Sequence, residues 1–89
     1  MSQFHVQDPG ETVEYQINWE NGVPEGATIS TSTWVVTPMT ASGPNIDGYF
    51  TVVKLTGGTS GSVHQIENTI TLSDGETYKD SIFIYIEDK

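Results

Sequence analysis

Two runs of alternating residues, separated by an Asp-Gly turn, constrain this chain more than anything else in it. The first runs His64-Gln65-Ile66-Glu67-Asn68-Thr69-Ile70-Thr71-Leu72; the second is Asp80-Ser81-Ile82-Phe83-Ile84-Tyr85-Ile86. Ile66, Ile70 and Leu72, like Ile82, Ile84 and Ile86, recur at even spacing, which puts each set on one face of an extended strand. Ser73-Asp74-Gly75 lies between the runs, and Asp-Gly flanked by alternating apolar residues is a strong hairpin signal. The spacing therefore predicts a closing β-hairpin whose isoleucine face needs a second sheet to cover it.

The same grammar extends upstream. Asp8-Pro9-Gly10 reads as a turn, since proline presets φ and glycine accepts positive φ. It divides a short first segment carrying Phe4 and Val6 from the run Thr12 to Trp19, where Val13, Tyr15, Ile17 and Trp19 alternate with polar residues. Asn21-Gly22 and Pro24 mark a loop, after which a strand from Thr28 to Thr37 carries Trp34, Val35 and Val36. Met39 to Asp47, with Ser42-Gly43-Pro44-Asn45 at its centre, reads as an irregular loop. Tyr49 to Leu55 is a strand with apolar residues on both faces, Phe50 and Val52 on one side and Tyr49, Val53 and Leu55 on the other. Gly57-Gly58-Thr59-Ser60-Gly61 turns the chain into the closing hairpin. Strands every 10–15 residues or so, with no helical periodicity, predict an all-β sandwich of about seven short antiparallel strands. The expected core is Val13, Tyr15, Ile17, Trp19, Trp34, Val36, Phe50, Val52, Ile66, Ile70, Ile82, Ile84 and Ile86.

Eighty-nine residues are expected to form one domain, residues 1–89, complete as given. The chain has no cysteine, which excludes disulfides and thiolate metal sites. No apolar stretch approaches the roughly 18 residues of a membrane span, and Met1-Ser2-Gln3-Phe4-His5 lacks the character of a signal peptide, so synthesis is expected in the cytosol. Twelve acidic residues against three lysines (Lys54, Lys79, Lys89) and no arginine give a formal net charge of −9. Binding nucleic acid by counterion release needs clustered cations, and an anionic membrane would repel such a chain. Neither partner is expected.

The residues that could carry chemistry read as structural. His5 and His64, the only imidazoles, fall near a terminus and beside the glycine turn with no nucleophile in recognisable relation to them. Asp74, Glu76 and Asp80 lack the spacing of a calcium loop, and the Gly57–Gly61 run lacks the lysine and following helix of a phosphate loop. No catalytic residue, cofactor or metal is expected. The candidate contact residues are Met39 and Ile46, apolar positions in otherwise polar loop sequence, which either form a protein-contact patch or cap an open end of the sandwich.

Along the chain stand, in order, Asp8-Pro9, then Tyr15, Ile17 and Trp19, then Gly26, Thr28, Ile29, Ser32 (or its neighbours) and Trp34. Leu55, Gly57, Gly58, Thr59 and Gly61 follow, then Asn68, Ile70, Ser73 and Gly75, and finally Ile82, Ile84 and Ile86. In this running order the chain resembles short proteins encoded among the structural genes of tailed bacteriophages and prophages. The resemblance implies an immunoglobulin-like sandwich and a non-enzymatic virion structural role, assembled in the bacterial host cytoplasm. Its expected partners are other virion proteins, with self-association a further option. The competing expectation is a carbohydrate- or cell-surface-binding module, which would need Trp19, Trp34, Tyr49 or Tyr78 to form an exposed aromatic ledge.

Overall fold

Seven strands in two sheets account for the regular structure of the described residues. The structure is a computed structural model and describes residues 3–88; Met1, Ser2 and Lys89, which entered the leader and charge readings, lie outside the described residues. The strands are β1 (Gln3–Gln7), β2 (Thr12–Asn18), β3 (Ile29–Val35), β4 (Met39–Asp47), β5 (Phe50–Gly57), β6 (Val63–Leu72) and β7 (Thr77–Ile86). One sheet has the order β1-β7-β6-β3 and the other β2-β5-β4, a β-sandwich with no helix among the described residues.

The closing hairpin forms as its alternation requires. Ile66, Asn68, Ile70 and Leu72 on β6 and Ile82, Ile84 and Ile86 on β7 point into the sandwich and are buried. At the turn, Gly75 takes φ +92°, its N–H donates to Leu72 O at 3.0 Å, and Asp74 Oδ1 accepts from Glu76 N at 3.0 Å. The glycine turn before β6 packs closely as well: Gly58 lies at φ +101°, and a Cβ there would stand 2.8 Å from Ile86 Cγ1.

The sandwich of seven strands is as expected, and three details need correction. One pairing is parallel: β1 runs alongside β7, with Phe4 opposite Phe83 and Val6 opposite Tyr85, while the other four pairings are antiparallel. Alternation within a short segment says nothing about the direction of its neighbour. Second, Met39 to Asp47 is strand rather than loop. A bulge between Ser42 and Asn45 breaks the alternation, and Pro44 is tolerated there because β4 is an edge strand.

Third, the core face of β5 is the opposite of the one expected. Val53 and Leu55 are fully buried, whereas Phe50 is 37% exposed and Val52 only half-buried. The pairing with β2 explains the choice, since Leu55, Val53 and Thr51 stand opposite Val13, Tyr15 and Ile17 on the shared inner face. Val13, Trp34 and Val36 pack at the margin of the core rather than inside it, while Ala27, Ile29, Met39 and Leu72 belong to it.

Two hydrogen-bonded chains tie the sheets together through buried polar groups. Trp19 Nε1 donates to Thr51 Oγ1 at 3.0 Å, the Thr51 hydroxyl donates to Asn68 Oδ1 at 2.6 Å, and Asn68 Nδ2 donates to Ser32 Oγ at 2.9 Å and Thr33 O at 3.1 Å. At the β1 side, Tyr15 OH donates to Gln7 Oε1 at 2.7 Å, and Gln7 Nε2 donates to Leu55 O at 2.9 Å and Glu11 O at 3.0 Å. Thr51, Asn68 and Gln7 are each completely buried, and such groups are retained only when their partners are supplied. The second chain fastens β1 to the opposite sheet.

Candidate protein-contact surfaces

The polar residues that could have carried chemistry are occupied locally. His64 Nε2 accepts the Thr59 N–H at 3.0 Å, so it serves the glycine turn. His5 Nε2 lies 2.9 Å from Gln3 Oε1, and its ring stands 4.9 Å from that of Tyr15. Among the described residues no cluster of His, Asp or Glu is arranged to hold a metal ion. Burial, and secondarily the nearby Glu11 carboxylate, raises the Tyr15 hydroxyl above its ordinary pKa. A hydrogen bond to Glu76 does the same for Tyr78.

Met39 and Ile46 do not form one exposed patch. Met39 is 4% exposed and packed in the core cluster, while Ile46 is half-buried beside a shallow opening lined by Ser32, Pro44 and Asn45. Trp19 is likewise buried, with its indole N–H committed to Thr51, and Trp34, Tyr49 and Tyr78 are half-buried. The four rings form no exposed ledge. Trp19 does line a wall of an open cleft of about 500 Å³, shared with Asn18, Asn21, Lys79 and Asp80.

Three of the five large exposed apolar residues among the described ones gather on the outer face of the β1-β7-β6-β3 sheet, with Val35 and Phe50 lying apart from them. Because Ile82, Ile84 and Ile86 face inward, Phe83 and Tyr85 face outward, and register places Phe4 beside Phe83 and both Val6 and Val63 beside Tyr85. Phe4 is 63% exposed, Val63 53% and Val6 48%. Contiguous apolar surface at one edge of a small acidic domain points to a contact site. Sequence reasoning missed it. The alternation of Phe4 and Val6 was visible, but only the parallel pairing with β7 shows that their face adjoins Phe83 and Tyr85.

The charge around this face is uneven. At one end Lys79 Nζ lies 3.9 Å from Glu67 Oε1. At the other, the Glu87 N–H donates to Gln7 O at 2.9 Å, which brings Glu87 and Asp88 next to the turn holding Asp8 and Glu11. The strip thus runs from a loosely paired lysine and glutamate, across aromatic residues, to an acidic end.

Comparison with known proteins bears on the family and the fold. A family model described as podophage GP4 fiber-tail adaptor protein gp77 matches residues 7–85. No curated protein matches the chain. Among solved structures, a 2,6-sialyltransferase of Vibrionaceae Photobacterium sp. JT-ISH-224, in ternary complex with CMP and lactose, aligns with a TM-score of 0.59 and 14% sequence identity. The alignment covers 99% of this chain but 18% of the sialyltransferase chain. A likeness that distant concerns the shape of one domain and carries no activity with it.

Proposed function

Since this chain belongs to the family of the podophage GP4 fiber-tail adaptor protein gp77, we propose that it is a non-enzymatic virion component that joins other phage structural proteins through surface contacts. The observation that carries this reading is the extent of the family match, residues 7–85, which takes in every strand except the first four residues of β1 and the last residue of β7. The family's description supports a place between tail and fibre, and assembly in the cytoplasm of a bacterial host follows from that role.

The strand order supports an immunoglobulin-like form of the sandwich. With strands lettered in chain order, β2-β5-β4 is B-E-D and β7-β6-β3 is G-F-C, the two groups of that fold, while β1 joins G instead of B. The buried polar chains suit a part that must hold its shape while load passes through its surfaces, because they fix the two sheets against each other.

Deletion of the gene from the phage that encodes it tests the proposal. The expected result is particles with altered tail assembly or fibre attachment, restored by the gene supplied in trans. Particles of unchanged composition, morphology and infectivity would refute it.

A further inference from the structure

The two sheets end in four edge strands, β1, β3, β2 and β4, and three of them resist pairing with another chain. β4 is broken by the Ser42–Asn45 bulge and contains Pro44; β3 is irregular at Ile29–Thr31 and packs alongside β4; β2 turns Glu14, Gln16 and Asn18 outward. Natural sheets discourage edge pairing by such means. β1 has none of them. Its sequence Gln3-Phe4-His5-Val6-Gln7 contains no charge, proline, glycine or bulge, and its outward residues are the exposed Phe4 and Val6.

Its inward side is held firmly. Gln3 Nε2 donates to Gln16 O at 3.0 Å, and Gln7 is buried and bonded to the opposite sheet. The strand is therefore an anchored edge rather than a loose end, suited to receive another strand.

Resting on the adaptor reading above, we infer that the free edge of β1 receives an extended segment of a different virion protein by strand addition, with apolar side chains over Phe4 and Val6 and a lysine or arginine at the Glu87–Asp88 end. Strand addition draws affinity from main-chain hydrogen bonds and specificity from alternate side chains. The apolar edge supplies both, and the charge gradient sets the polarity of the incoming segment. A second copy of this chain is the poorer occupant. Each copy carries a net charge of −9, and Lys79, on the neighbouring strand β7, already stands beside Glu67.

The test replaces Phe4 with the photo-crosslinker p-benzoylphenylalanine in the phage, with the same replacement at Phe50 on the other sheet as control, and sequences the adducts formed in purified particles. The proposal predicts a Phe4 adduct with another virion protein, within an alternating apolar segment that has lysine or arginine a few residues away, and at least tenfold less adduct from Phe50. It also predicts that Val6→Glu, checked for an unchanged melting temperature, lowers the copy number in particles at least tenfold. An adduct with a second copy of the chain, an acidic partner segment, or no Phe4 adduct in particles that contain the protein would overturn the edge assignment alone. Particles that lack the wild-type protein altogether would instead overturn the adaptor reading.

Discussion

Asn68 and the two tryptophans show how much a single polar atom decides in a core this small. Trp19 and Trp34 are the same residue type, each near the end of an alternating run, yet their indoles differ. Trp19 Nε1 is bonded to Thr51, whereas Trp34 Nε1 is buried with no hydrogen-bond partner among the described residues. Trp19→Phe leaves Thr51 without its donor and should cost about 1–3 kcal/mol, while Trp34→Phe loses no hydrogen bond and should cost less. Asn68→Ala strands both the Thr51 hydroxyl and its Ser32 and Thr33 partners, and should cost the most of the three. Urea denaturation of the three variants checks the order; equal losses for the two tryptophans would contradict it. Tyr15 gives a pH signature at the same scale. Its pKa is raised on folding above the ordinary 10.0, so the neutral hydroxyl is the form the fold favours. Its contribution is complete below pH 10.0 and is lost as pH rises through the folded value. Alkaline melts should therefore show a steeper loss of stability above pH 10 in the wild type than in Tyr15→Phe.

Among elements, the closing hairpin was the most legible, because its alternation is unbroken and its turn residues are specific. The inward side of β7 was settled by three isoleucines against Phe83 and Tyr85, and Ile84 is fully buried. Ile84→Ala should cost about 2–5 kcal/mol and Phe83→Ser less than half as much, since Phe83 lies on the outer face. Comparable losses, measured as shifts in melting temperature, would mean that the strand is covered on both sides. β5 was illegible for a physical reason: both its faces carry apolar residues, and the deciding group was a threonine, Thr51, whose burial depends on a distant indole and amide. β4 was hidden by its bulge, since a pattern of period two cannot be followed across an inserted residue. Across that bulge strand β4 turns Met39 into the core and sets Ile46 against its margin, a placement that period-two counting from Met39 cannot reach. The exposed face of β1 and β7 needed the parallel register between opposite ends of the chain, and no local pattern carries that.

At the scale of the whole molecule, charge and topology together define what the domain can meet. A net charge of −9 without arginine leaves no cationic surface for phosphates, so the domain should leave DNA unshifted on a gel at physiological salt, and retention there would contradict the account. The family, described as a fiber-tail adaptor, points to other phage structural proteins as its partners. If the protein is a fixed part of the virion, quantitative mass spectrometry of purified, salt-washed particles should find it at a constant whole-number copy per particle, in proportion to the tail proteins. Its absence from infectious particles, or a variable trace amount that washing removes, would contradict the claim.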